Sequence, residues 1–184
     1  MYFVVQHTHV SGLTLPISIS KRPPDVADRA IPGLWEGDLI QVSKNSYIVT
    51  LVERHSRFVM LAKISDNKTI TVISALIKQA RELPVELYKT LTWDRGAEMT
   101  SHTQFTVATD IQVYFCDPQS PWQRGSNENK NRLLRQYFPK RTNLSVHSQQ
   151  RLKSVARQLN ERLRKTLDYE SPAERFNQCV ASIG

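Results

Sequence analysis

Three carboxylates carry the chemistry this chain could perform. Asp38 falls inside Trp35-Glu-Gly-Asp38-Leu-Ile40, a run that reads as a buried strand. Asp is disfavoured there, and a buried charge must be paired or metal-bound. Asp94 closes the short strand Thr90–Trp93 before Arg95-Gly96, where open α/β sheets gather ligands. Glu128 is a lone acid among Arg124, Lys130, Arg132 and Arg135, in the first turn of an amphipathic run. Singly, Asp94 passes as turn chemistry and Glu128 as a dipole effect. Asp38 resists such a reading. Together the three fit phosphoryl transfer, which needs charge neutralised at the attacking and leaving oxygens. Two hard cations ~4 Å apart do this when a few carboxylates hold them with positions left open.

The elements that must position these acids are legible from periodicity. Trp35–Ile40, Tyr47–Val52 and Phe58–Ile64 predict three antiparallel strands in a meander. Ile70, Ile73, Leu76, Ile77 and Ala80 mark a helix face, with Asp66 or Asn67 as its cap and Pro84 as its stop. The strand Thr90–Trp93, a short helix His102–Thr109 and a buried parallel strand Ile111–Cys116 follow. Ser126 caps a helix running to Phe138, and Leu152, Val155, Leu159 and Leu163 mark one last long helix. The expectation is an α/β fold with a mixed five-stranded sheet flanked by helices, and its order resembles the ribonuclease-H-like fold. Residues 1–24 read as a poorly ordered lead-in, and 25–184 as the core with its C-terminal helices.

Charge points to the partner. The formal net charge is +8, yet residues 121–165 alone hold twelve Lys and Arg against Glu128 and Glu161. The basicity therefore belongs to one segment, which suits either a polyanion such as nucleic acid or a solvated helical face. Cys116 and Cys179 have no metal-ligand spacing, suggest neither a zinc site nor a disulfide framework, and fit a reducing cytoplasm. No apolar stretch approaches the ~20 residues of a membrane span, and Tyr2–Val5 is too short for a signal-peptide core.

Trp35-Glu-Gly-Asp38-Leu-Ile, Leu51-Val-Glu-Arg54, Leu91-Thr-Trp-Asp94-Arg-Gly-Ala-Glu98-Met, Val113-Tyr-Phe-Cys-Asp-Pro118 and the Ser120–Phe138 segment closely resemble the catalytic domain of insertion-sequence-thirty family transposases. These belong to the DDE enzymes of the retroviral-integrase superfamily. The resemblance spans roughly Arg22 to Glu174 and implies Asp38, Asp94 and Glu128 as the catalytic, metal-binding acids. It further implies a polynucleotidyl transferase using two Mg²⁺ ions, replaceable by Mn²⁺, without a small-molecule cofactor. Its substrates would be the DNA of element ends and targets, its setting a bacterial cytoplasm at the nucleoid, and its partners further transposase subunits. Arg124, Lys130, Arg132, Arg135, Lys140 and Arg141 are the candidate DNA-binding residues. Glu98 is read as supporting rather than catalytic. His102 is read as supporting too, with a helix-surface position and direct substrate contact as alternatives. Trp93 and Trp122 are read as core residues, Trp122 with a DNA-end contact as its alternative. The family's N-terminal helix-turn-helix region has no counterpart read in this chain. That motivates a second reading, a shortened DNA-binding or transposase-inhibiting remnant. A simple nuclease of the same fold is a third.

Overall fold

The computed structural model describes residues 15–24, 30–43, 45–94, 96–117 and 125–183, the side chains of residues 125–130 and 145 excepted. The meander is present as β2 (Leu34–Ser43), β3 (Ser46–Glu53) and β4 (Val59–Ile64), paired antiparallel with Asp38 opposite Thr50. Then come α1 (Thr69–Ala80), β5 (Thr90–Trp93), α2 (His102–Thr109) and β6 (Gln112–Phe115). The helices α3 (Gly125–Tyr137), α4 (Gln149–Glu161) and α5 (Pro172–Ala181) complete the chain. β5 lies parallel to both β2 and β6, so β2 joins the antiparallel half of the sheet to the parallel half.

The sheet has six strands among the described residues, in the order β1-β6-β5-β2-β3-β4. The added strand is β1 (Ile17–Ser18), which pairs in parallel with Tyr114 and Phe115. Residues 15–24 are thus not a loose lead-in; residues 1–14 lie outside the described residues. Ser18 Oγ donates to Asp117 Oδ1 at 2.5 Å, and Arg22 donates to Thr92 Oγ1 at 3.0 Å. An open strand edge accepts any extended backbone. A two-residue strand therefore leaves no periodic signal.

Alternation along the strands divides the core into two layers. Trp35, Val49, Leu51, Leu91 and Trp93 pack on one face with Val72, Leu76, Phe105 and Phe176 of the helices α1, α2 and α5. Ile40, Val42, Ile48, Val52 and Leu61 pack on the other with Leu134 of α3, with Phe138 just after it, and with Leu152, Val155 and Leu159 of α4. Asp38 shares the alternation of Ile40 and Val42, which turns it toward α3.

α4 also seals the outer edge of β4. The Asn160 amide takes Val59 N–H at 2.8 Å and donates to Val59 O at 2.9 Å, while the Gln149 amide takes Lys63 N–H and donates to Leu61 O. Two side chains thereby stand in for a missing neighbouring strand.

The expected last helix is instead two. α4 stops at Glu161, and Leu163 is 61% exposed in the connection. Left-handed Asp168 and Tyr169 reverse the chain, and α5 then starts at a capping box of Ser171 and Glu174 with Pro172 in its first turn. At α1 the cap is Lys68 rather than Asp66 or Asn67, because the Asp66 carboxylate accepts Lys68 N–H from outside the helix. Ile70, expected on the buried face, is exposed. The capping role expected of Ser126 falls outside the described side chains. No helix among the described residues is long and apolar enough to cross a membrane.

Candidate active site

The parallel register of β2 and β5 brings Asp38 and Asp94 to the same end of two neighbouring strands. Glu36 stands opposite Thr92; Asp38 lies two residues further along β2, and Asp94 lies just past the end of β5. Both are half-buried. The backbone positions them because β2 is hydrogen-bonded on both sides, to β3 and to β5. Asp38 Oδ1 accepts the Leu39 N–H at 2.9 Å, and its Oδ2 accepts from the Asn131 amide of α3 at 2.5 Å.

Asn131 is the residue that sequence reasoning missed, and it ties α3 to the acid on β2. Glu128 lies three residues earlier, one turn toward the start of the same helix. Its backbone lies one helical turn from the residue that bonds Asp38, and its side chain is outside the described residues. The available signal is the i, i+3 spacing of Glu128 and Asn131 on a helix whose neighbours are basic.

A close approach between strands narrows the site's floor. Gly37 faces the Trp93 ring so closely that a Cβ there would overlap the indole. Trp93 is fully buried, as expected of a core residue, and its Nε1–H donates to Glu98 Oε1 at 3.1 Å. Glu98 thus supports the residue that precedes Asp94. Gly96 leaves room for this, since a Cβ there would overlap the Glu98 carboxylate. His102 is buried, not on a helix surface. Its ring stands edge-on to Phe115 at 4.9 Å, in the core layer opposite α3. Burial holds its pKa below the ordinary imidazole value.

Beneath the two acids lies a buried charged layer that the sequence did not announce. Arg54 Nε approaches Glu36 Oε1 at 3.2 Å with both side chains almost fully buried. Arg22 reaches the same level at Thr92. Burial first, then the neighbouring Arg54 charge, lowers the pKa of Arg22, and Glu36 opposes this. Glu53 accepts Gly33 N–H, Ser56 N–H and Ser56 Oγ–H, closing the turn between β3 and β4.

The expected phosphate-binding residues separate. Arg132, Lys140 and Arg141 are exposed. The Arg135 guanidinium donates to Gln41 O at 3.2 Å, binding α3 to the end of β2. Arg124, Trp122 and the Lys130 side chain lie outside the described residues. Cys116 and Cys179 are buried and unbridged.

The donor chemistry suits hard divalent cations. Two carboxylates emerge at adjacent strand positions, one oriented by an amide, and oxygen ligands of this kind hold Mg²⁺. Among the described residues no three acids, histidines or cysteines converge as a metal site. The third candidate is Glu128.

Residues 28–121 match the integrase core domain family. The chain is 50% identical over 163 residues to the transposase InsI for insertion sequence element IS30A of Escherichia coli (strain K12), covering 89% of this chain and 43% of that protein. It is 48% identical over 167 residues to the transposase for insertion sequence element IS1086 of Cupriavidus metallidurans, covering 90% and 49%. A third relative, the transposase for insertion sequence element IS4351 of Bacteroides fragilis, is 34% identical over 166 residues, covering 89% and 50%. The chain thus spans half or less of these relatives' lengths. The strands that carry Asp38 and precede Asp94 lie within the matched region, and the chain belongs to the integrase core domain family.

Proposed function

We propose that this chain is the catalytic core for metal-dependent DNA cleavage and strand transfer during transposition. The observation that supports the reading is the register of β2 and β5, which brings Asp38 and Asp94 to the same end of neighbouring strands, with Asn131 of the helix that carries Glu128 bonded to Asp38. These three residues would hold two Mg²⁺ ions, or Mn²⁺ in their place, which supply charge neutralisation at the attacking and leaving oxygens when bound.

The chain's own residues do the positioning. Asn131 fixes the Asp38 carboxylate, and Glu98 fixes Trp93 next to Asp94. Arg132, Lys140 and Arg141, with Arg124 and Lys130, hold phosphodiesters of the bound DNA. In cleavage, a water oxygen bonds to phosphorus as the 3′-oxygen leaves and takes a proton. In transfer, that 3′-hydroxyl attacks a target phosphodiester and the target's own 3′-oxygen leaves. One P–O bond forms as another breaks, so neither step needs an energy-rich cofactor. DNA and further copies of the transposase are the partners, in a bacterial cytoplasm at the nucleoid.

The test is a gel assay of cut and joined products with duplex carrying the element's terminal repeat. Asp94→Asn is expected to abolish both products and to remove the Mg²⁺-dependent rise in melting temperature that ligand binding produces. Wild-type rate in that variant would overturn the assignment. DNA binding by the wild-type chain without cutting would favour the remnant reading instead.

A further inference from the structure

A cavity of about 870 Å³ lies beyond the acids at the far end of β2. It is lined by Ser43, Asn45 and Ser46 of the β2–β3 hairpin, by Lys63, Ile64 and Ser65 at the end of β4, and by Arg141 and Asn143. Two of these residues are cations, none is an acid, and all but Ile64 carry side chains that can hydrogen-bond. We propose that this cavity is a second phosphodiester-binding site. It would hold the backbone of the DNA strand whose reacting phosphate sits at Asp38 and Asp94. The inference rests on the function proposed above.

The walls are pre-built by backbone and side-chain bonds that leave the charges available. Arg141 N–H donates to Val42 O at 2.6 Å, and Leu144 N–H donates to Ser46 Oγ at 3.2 Å. Lys63 Nζ donates to His147 O at 2.7 Å. An ammonium has three hydrogens and a carbonyl neutralises none of its charge, so Lys63 keeps donors and a full charge for an anion. Arg141 sits in the left-handed region at φ 73, a conformation maintained by its bond to Val42. The acid nearest in sequence, Asp66, accepts from Lys68 N–H and Ser65 Oγ rather than from either cation. A site with two cations, hydroxyls, amides and no carboxylate matches a singly charged, oxygen-rich group.

Geometry sets the distance from the acids. Ser43 lies five residues along β2 from Asp38, which is ~16 Å of strand. At 3.4 Å of rise per base pair, that distance is about five base pairs of duplex. Along the way α3 presents the exposed Arg132, and Lys140 follows it toward the cavity. Arg132 and Lys140 thus add exposed cations to the segment that leads from Asn131 to Arg141.

The experiment is fluorescence anisotropy of the intact chain on a random-sequence duplex of roughly 30 base pairs, in chelator, over a series of salt concentrations. Each lost phosphate contact lowers the slope of log affinity against log salt by about one. Arg141→Gln and Lys63→Gln are each expected to do so. Asn45→Asp places an acid in the cavity while keeping a turn-forming residue, and is expected to weaken binding at least as much. Arg81→Gln removes an exposed cation on the opposite layer and is expected to leave the slope unchanged. The site is refuted if Arg141→Gln and Asn45→Asp behave like Arg81→Gln. Lys63→Gln disturbs the contact with the His147 carbonyl, so Arg141→Gln, at an exposed side chain, decides the matter if that variant folds poorly. No metal is present in this measurement. The catalytic reading therefore stands or falls separately, on Asp94→Asn.

Discussion

Asn131 is the residue whose role separates a carboxylate that is merely present from one that is aimed. Its amide donates to Asp38 Oδ2 at 2.5 Å, and outer partners of this kind orient ligands and typically contribute 10–100-fold in metal affinity or activity. Asn131→Leu keeps the volume and removes the donor. Asp38 stays half-buried and in reach of water, so the stability loss should be about 1 kcal/mol, the scale of a single hydrogen bond. The expected outcome is a drop in cleavage rate of roughly 10–100-fold with little change in the denaturation midpoint, measured side by side. A large loss of stability with an unchanged rate would make Asn131 a packing residue. The two glycines beside the site obey a similar distinction. At Gly37 the obstructing group is a buried indole, while at Gly96 it is the Glu98 carboxylate that accepts from Trp93.

At the scale of elements, the contact between α4 and β4 decides how the sheet ends. Asn160 is buried and satisfies both backbone groups of Val59. Gln149 is only half-buried and satisfies one group on each of two residues. Leaving a buried backbone group unpaired costs about 1–3 kcal/mol, whereas a group that water can reach loses little. Asn160→Leu should therefore destabilise by roughly 2–4 kcal/mol, and Gln149→Leu by clearly less, in urea titrations. Equal effects would mean that the edge is sealed by apolar packing alone. The spacing of Leu152, Val155 and Leu159 identifies the apolar face of this helix. The two amides on its flank have no sequence signal, because an amide's partner is chosen in space.

For the whole molecule, pH reports on the buried polar interior. Burial lowers the His102 pKa in the folded chain, so the unfolded chain binds that proton more readily. The stability associated with a neutral His102 is then fully present above about pH 6.5, the unfolded value, and is lost as pH falls from there toward the folded value. Urea midpoints should drop between about pH 7.5 and 5.5. In His102→Gln that drop should be smaller, and an unchanged slope would assign it to other groups. Glu36 and Arg54 form a buried ion pair, and burying an ion pair is weak evidence for stability. Their place directly beneath Asp38 and Asp94 gives the layer an evident use as rigid support.

The sequence alone determined what short-range physics controls. Period-2 runs defined the meander, i, i+3 spacing defined the helix faces, and the misplacement of Asp38 in an apolar strand marked the chemistry. The capping box of Ser171 and Glu174 obeys the same short-range rules, although the helix it begins has no long periodic run to announce it. Tertiary structure alone decided the partners that lie far apart along the chain. Val59 and Asn160 are 101 residues apart, Asp38 and Asn131 are 93 apart, and Ser18 and Asp117 are 99 apart. β1 exists because the edge of β6 offers unpaired backbone groups, a property of the folded sheet that two residues cannot encode. Glu36 reads as an ordinary strand acid until folding brings Arg54 against it. Local periodicity specifies which surfaces each element presents, and only packing specifies which surfaces meet.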